Sequence, residues 1–455
     1  MPHATILPRT TLRAPALVAC LALLPAIAGA APSGGVTAPI TGIARVVGGS
    51  GHTCATATGG TMLCWGDNVY AQVGDGTSEE RWTAVPVIGL GGLAQTAAAG
   101  GSHTCASSTT GAARCWAYNW FGQVGDGTDT DRDLPTPVLG LGSGVQAIVT
   151  GMIHSCALAG GGVKCWGANG FGQLGDGSDT QRLAPVQVSG LASGVQAIAA
   201  GGEHTCALTT GGGVKCWGAN GFGQLGDGSD TQRLAPVQVS GLASGVQAIA
   251  AGGEHTCALT TGGGVKCWGA NDYGQLGNNS TNTQHAPVNV SGLASGVVAI
   301  SAGRFHTCAV TSGGGAKCWG ANENGELGDG TQSERHVPVD VSGLASGVAS
   351  IAAGQGHTCA RTSGGGVKCW GSNSWGQLGD GSGSDRLTPV DVSGLASGAT
   401  SIGVGSDHSC AVASAGRVLC WGSNQYGQLG NDTHADSLAP VFVLASETVF
   451  ENGFD

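Results

Sequence analysis

Residues 195–239 read VQAIAAGGEHTCALTTGGGVKCWGANGFGQLGDGSDTQRLAPVQV. Val195–Ala200 is a short apolar run that reads as a buried strand, and His204–Thr209 alternates as a second strand should. Thr210–Gly213 is turn chemistry, because glycine takes positive φ without steric cost. Val214–Trp217 reads as the third strand and Asn220–Gly228 as a glycine-rich connection. Pro236–Val239 reads as the fourth and outermost strand, where a missing N–H is tolerated. Four short strands with no helical period describe one blade of a propeller.

Outward from this stretch the same unit recurs. The phrase His-Thr/Ser-Cys places Cys54, Cys105, Cys156, Cys206, Cys257, Cys308, Cys359 and Cys410 at steps of 51 residues, once 50. The phrase Cys-Trp follows each one, at Cys64, Cys115, Cys165, Cys216, Cys267, Cys318, Cys369 and Cys420. Residues 163–220 and 214–271 are identical, the mark of a recent duplication. A period of this size indicates a propeller or solenoid. Alanine and glycine crowd the inner strands, which suits the narrow centre where blades converge.

Sixteen of the 17 cysteines form eight couples, ten residues apart or nine for Cys156 and Cys165. Folding residues 206–216 as a hairpin sets Cys206 opposite Cys216 and Leu208 opposite Val214, so both thiols face one side within bridging reach. The expected bond joins the second and third strands of one blade, and closing a loop of about 11 residues stabilises by roughly 2.7 kcal/mol. The competing reading is a metal: His204 and Cys206 share a strand face with Cys216, a set that zinc accepts. Eight identical zinc sites in an exported chain argue for the bridges, and no metal site or cofactor is expected.

Arg9 and Arg13 followed by the apolar stretch Ala14–Ala28 and by Ala28-Gly29-Ala30 read as an export signal over residues 1–30. Leu17-Val18-Ala19-Cys20 also has the look of a lipoprotein signal, but the apolar run continues past Cys20. No other run approaches the length of a membrane span. The chain of 455 residues carries a net charge of −11, with charged residues at 10% and 86 glycines. Signal removal would bring the charge to about −13. Such a surface excludes phosphate-backbone binding, so no nucleic-acid partner is expected.

The pattern G-x-x-H-T/S-C-A-L … G-x-V-x-C-W-G-x-N-x-x-G-Q-L-G-D/N-G … P-V closely resembles the RCC1 repeat and runs from about residue 43 to 445. The resemblance implies an all-β propeller of four-stranded blades over residues 36–445, followed by a tail at 446–455. The family usually has seven blades; eight units here imply eight, with seven plus a loose unit as the alternative. Val36–Ile43 (VTAPITGI) looks like a stray copy of the fourth strand that would complete the last blade beside Pro440–Leu444 and close the ring. The nucleotide-exchange activity of the best-known member is not expected in an acidic, disulfide-rich, exported chain. A closer parallel is a secreted bacterial member that grips another protein with its loop face.

The histidines before each first cysteine read as residues that bond backbone at a blade corner, since no asymmetric nucleophile or carboxylate accompanies them. Catalytic residues are therefore not assigned. The tryptophans of the Cys-Trp phrase read as packing between blades. A more exposed series precedes Gly-Gln-Leu-Gly: Phe121, Phe171, Phe222, Tyr273, Trp375 and Tyr426, with Tyr70 in a variant unit and Asn324 breaking it. Together with Trp82 these form the candidate binding rim, packing between blades being the alternative. The stretch after Asp-Gly-Thr/Ser varies between copies, with Glu79–Trp82 and Glu334–His336 as examples, and is a second candidate surface. Asp129, Asp131 and Asp133 only faintly resemble a calcium loop. The ending Val449–Asp455 has the look of a sorting or docking tag, a frayed end being the alternative. The expectation is a secreted or periplasmic, monomeric protein-binding scaffold that is not an enzyme. A glycan-binding propeller is the alternative, and a lyase or hydrolase would need an asymmetric polar cluster.

Overall fold

The computed structural model describes residues 38–446. The signal at 1–30, Cys20 and the tail from Val449 lie outside them. Thirty-two strands form eight four-stranded antiparallel sheets, each drawn from one contiguous repeat: Ile43–Pro86, Ala94–Pro137, Val145–Gln187, Val195–Gln238, Val246–Asn289, Val297–Asp340, Val348–Asp391 and Ser401–Phe442. The chain is thus an eight-bladed all-β propeller, and the seven-bladed alternative falls.

The fourth blade shows why. Its strands are Val195–Ala200, His204–Thr209, Val214–Gly218 and Arg233–Gln238, hydrogen-bonded in that order. Leu208 faces Val214 and Cys206 faces Cys216, the register that the spacing implied. The outer strand starts three residues earlier than the proline suggested. Arg233 pairs across to Gly218, with a bulge between Cys216 and Gly218 that absorbs the extra residues. The inner strand is not buried along its whole length. Val195 and Ile198 are buried, whereas Gln196 is exposed and Ala197, Ala199 and Ala200 are half-buried, with Ala200 lining the central channel.

All eight cysteine couples are disulfide-bonded within their own blades, and every one of the sixteen is buried. The bridges sit inside the hydrophobic layers between blades. In the layer that joins the fourth blade to the fifth, Cys206 and Cys216 pack with Leu225, Val239, Ala258 and Trp268. Trp268 comes from the next blade, so the tryptophans do pack between blades. Gly226 must be glycine here: its φ is +69°, and a Cβ would lie 2.7 Å from Trp268 Nε1.

The last blade draws its four strands from its own repeat, and the described part of Val36–Ile43 adds to it only a single bridge, Pro39 beside Leu444. The described part of that segment acts as a strap. Ile40 donates its N–H to Val443 O at 2.9 Å, Ala445 donates to Ala38 O at 2.9 Å, and Ala84 of the first blade donates to Leu444 O at 2.8 Å. The chain ends are knitted to each other and to the first blade at the seam.

Candidate functional site

The joint between blades is the same at all eight positions. At the joint of the fourth and fifth blades, Thr256 Oγ1 donates to Gln224 O at 3.0 Å, and Trp268 Nε1 donates to the same carbonyl at 2.9 Å. The hydroxyl proton being used, His204 Nε2 must be the donor to Thr256 Oγ1 at 2.9 Å. That fixes the tautomer and leaves Nδ1 as a bare buried acceptor, with no hydrogen-bond partner in any of the eight copies. Gly201 is packed against it; a Cβ there would stand 2.6 Å from Nδ1. The seam closes identically, with His408 on Thr53 at 2.8 Å and both Thr53 and Trp65 donating to Gln428 O. The histidine therefore bonds a neighbouring side chain rather than backbone, because the threonine already occupies the carbonyl. Burial, reinforced by repulsion from His204 and His306, pushes His255 down to about 3; burial alone pushes His204 down to about 4. These rings are neutral structural pins.

In an antiparallel four-stranded blade, the connection between first and second strands and the connection between third and fourth emerge on one face. The tight hairpin between second and third strands and the link to the next blade emerge on the other. The mouth face, with the first pair of loops, is built on fixed loops. Asn220 donates through Nδ2 to Ser229 O and Thr231 O at 3.0 and 2.9 Å, and its Oδ1 accepts from Leu225 N. Asp227 accepts from Ser229 and from Arg233 Nε at 2.6 Å. Burial alone would raise Asp227, but the hydrogen bonds from Ser229 and Arg233 outweigh it and hold the carboxyl below its usual range. Arg81 with Asp75 and Arg335 with Asp329 repeat this pin, so these arginines of the variable stretch hold loops together. Asp131, read as part of a faint calcium loop, instead accepts the Asn119 N–H at 2.7 Å.

All eight residues of the candidate rim, Tyr70, Trp82, Phe121, Phe171, Phe222, Tyr273, Trp375 and Tyr426, belong to third-to-fourth connections or to the start of an outer strand. They therefore share the mouth face. Six are 39–43% exposed: Tyr70, Trp82, Phe171, Phe222, Trp375 and Tyr426. Phe121 and Tyr273 are half-buried, and Tyr273 leans on Phe305 with ring centroids 5.3 Å apart. Trp82 meets His434 edge-on at 3.9 Å across the seam. Tyr118 joins Tyr70 at 4.9 Å.

The sequence reading missed the other half of this face. The two residues before each joint histidine differ in almost every blade. The inner of the two runs Ser50, Gly101, Met152, Gly202, Gly253, Arg304, Gln355, Ser406. The outer runs Gly51, Ser102, Ile153, Glu203, Glu254, Phe305, Gly356, Asp407. The inner set, with Glu203, Glu254 and Phe305 of the outer one, lines the mouth of the central channel, a cavity of about 900 Å³. Met152 and Trp120 are 63% and 69% exposed and were also overlooked. The signal was present as the two unassigned positions of G-x-x-H. On the opposite face, by contrast, the hairpins read TTGGG or TSGGG in four successive blades and the links read SGLASG five times. Among the described residues no group of three or more His, Cys, Asp or Glu is placed to hold a metal.

Comparison with known proteins gives the same architecture. The profile of the RCC1-like domain matches residues 22–346, and that of the regulator of chromosome condensation (RCC1) repeat matches residues 348–377 and 399–428. The ultraviolet-B receptor UVR8 of Arabidopsis thaliana is 31% identical over 90% of this chain and 83% of its own length. The probable E3 ubiquitin-protein ligase HERC4 of Homo sapiens is 39% identical over 40% of this chain, but over only 18% of its own. Among solved structures, human WBSCR16 superposes with a TM-score of 0.63 at 23% identity, covering 78% of this chain and 99% of that one. Yeast Prp20, solved bound to Kap60, gives 0.61 at 22% identity over 76% and 86%. With its repeats matched from one end of the ring to the other, the chain belongs to the RCC1-repeat family.

Proposed function

We propose that the protein is an exported protein-binding scaffold that recognises its partner with the mouth face of the propeller. Propellers of this family bind other proteins; Prp20 was solved with Kap60, and its binding properties to Gsp1p and histones are described. One observation carries the reading. The two positions before the joint histidine differ in almost every blade of the mouth face, whereas on the other face four successive hairpins and five links are close to copies of one another. Variation on a constant, stapled frame is where selection for a partner leaves its mark. Eight buried disulfides belong to an oxidising compartment, which supports export, and no helix among the described residues is long and apolar enough to cross a membrane. The related sequences include a receptor and a ligase that this chain matches over only 18% of its length, so neither lends a catalytic function to the propeller.

The test is affinity capture of envelope and secreted proteins of the source organism on three immobilised forms. These are the wild type, a mouth-face variant (Trp120→Ala with Tyr426→Ala) and an opposite-face variant (Ser312→Arg with Ser363→Arg). The proposal expects a partner held by the wild type and the opposite-face variant and released by the mouth-face variant. A partner released only by the opposite-face variant overturns it. Size-exclusion chromatography of the mature chain is expected to give a monomer.

A further inference from the structure

Around the duplicated segment, related sets of residues line two neighbouring hollows on the mouth face. The first pocket, about 290 Å³, is walled by Phe121, Phe171, Ile153, Asp179, Gln181 and Glu203. The second opens into the channel mouth and uses the equivalent residues of the next unit: Phe171, Phe222, Glu203, Asp230, Gln232 and Glu254. Phe171 is therefore shared, and each pocket pairs an aromatic face with a glutamate from the following blade. The series stops on both sides. Ile153 takes the glutamate's place before it. After it, Phe305 takes that place and is covered by Tyr273.

The electrostatics of this arc are one-sided. Glu203, Glu254, Asp179 and Asp230 make no ion pair or side-chain hydrogen bond. By contrast, the loop aspartates just behind them, Asp176 and Asp227, are locked to Arg182 and Arg233 at 2.6 Å. Burial, and then the charge of Glu254, hold Glu203 above the usual carboxylate range, as expected for two acids that lack a shared cation. Asn220, the obvious amide donor in the loop, is fully used within it. The pockets thus offer aromatic faces and unpaired carboxylates, with the Gln181 and Gln232 amides beside them. An alkyl-stemmed cation matches both the aromatic wall and the unpaired carboxylate.

We propose that the two pockets take two lysine or arginine side chains from a single basic segment of the partner protein, one against Phe171 and Glu203, the other against Phe222 and Glu254. This rests on the mouth face being the recognition surface and names the chemistry recognised there. Phe305, with Arg304 over its ring at 4.9 Å, stands where the next glutamate would, so the pairing of aromatic and glutamate occurs twice along this arc.

The test is calorimetric titration of the mature protein with capped glycine-serine peptides that carry two arginines separated by one to six residues. Matched peptides with citrulline in place of arginine and neutral maltose and chitin oligosaccharides are the comparisons. The expected results are binding of at least one spacing and loss of binding with citrulline. Glu203→Gln or Glu254→Gln should weaken binding about tenfold each, and salt should weaken it further. Phe171→Ala, which strips a wall from both pockets, should abolish binding. Asp407→Asn, on the same face three blades away, should leave it unchanged. The two glutamines are isosteric at accessible positions, so an unchanged melting temperature separates lost binding from lost folding. Equal affinity for arginine and citrulline peptides, indifference to Glu203→Gln and Glu254→Gln, or oligosaccharide binding sensitive to those variants would overturn the proposal. A partner released by Trp120→Ala and Tyr426→Ala yet untouched by the two glutamine variants would leave the mouth-face reading standing and remove this one. A partner released by none of these variants would remove both.

Discussion

Glu203 and His204 are neighbours in the chain, yet they belong to regions with opposite rules. The histidine lies in the joint between blades, where the same four groups meet eight times. The glutamate lies at the channel mouth, where eight blades present glycine, serine, isoleucine, glutamate twice, phenylalanine, glycine and aspartate. One residue of separation is enough because the chain turns there. On one side every polar group is enclosed and its geometry is dictated by Thr256, Gln224 and Trp268. On the other the side chain meets solvent and is free to change. The joint holds the wheel, and the mouth can diverge without cost to it.

The largest expected effect breaks the joint through protons. Each joint histidine has a folded-state pKa of about 3 or 4, below the 6.5 of the unfolded chain. The unfolded chain therefore binds protons first as pH falls, so stability present above pH 6.5 is lost on the way down to pH 4. The pinned aspartates, such as Asp227, are held low and add their loss only below their usual range. Denaturant midpoints measured from pH 7.5 to 4 should fall steeply, with uptake of several protons on unfolding. A flat profile across this window would show that the rings are not buried neutral pins.

A single joint can be opened next. Trp217 is fully buried, fills the layer with Leu174 and Val188, and donates to Gln173 O at 2.8 Å. Trp217→Ala should cost about 3–5 kcal/mol in chemical denaturation, as large aromatic truncations in cores do. A cost below about 1 kcal/mol would mean that the blade layers are not tightly packed.

The sixth blade offers a smaller change of opposite sign. Glu326 stands where seven blades carry glutamine. It is buried and accepts from Asn324 N at 3.0 Å and Asn324 Nδ2 at 2.7 Å. Burial raises its pKa, so ionisation above its ordinary range costs stability that glutamine would not lose. Glu326→Gln should raise stability by about 1 kcal/mol at pH 7.5, with the gain shrinking toward pH 4. A loss at both pH values would show that the carboxylate is needed by its amide partners.

The smallest effect on stability belongs to the mouth. Tyr426→Ala should shift the denaturation midpoint by no more than about 0.5 kcal/mol while weakening partner capture. A large stability loss would move Tyr426 from recognition to packing between blades.

The joint was easy to read in the sequence and the mouth was not, for one reason. Repetition exposes whatever packing holds constant: the cysteine couples, the Cys-Trp phrase and the register of Cys206 on Cys216 follow from spacing and strand alternation alone. The start of the outer strand at Arg233 was missed because proline and valine mark the apolar end, whereas the arginine's pairing with Asp227 exists only once the loop folds back. The histidine's partner was missed because Thr256 is 52 residues away and its hydroxyl is directed by a backbone carbonyl. Tyr118, Trp120 and Phe305 occur in single copies, so a search for what recurs passes over them. The aromatic series was visible because it does recur. Its union with Glu203 and Glu254 in shared pockets was hidden, because that union is made by the curvature of the ring.

The most direct test of this division is hydrogen–deuterium exchange of the mature protein with and without its captured partner. The account predicts new protection in the loops that carry Met152, Glu203, Glu254 and the aromatic series. It predicts none in the TTGGG and TSGGG hairpins, while the joint strands stay protected in both states. Protection that appears in the hairpins and links of the opposite face, with the mouth unchanged, would contradict it.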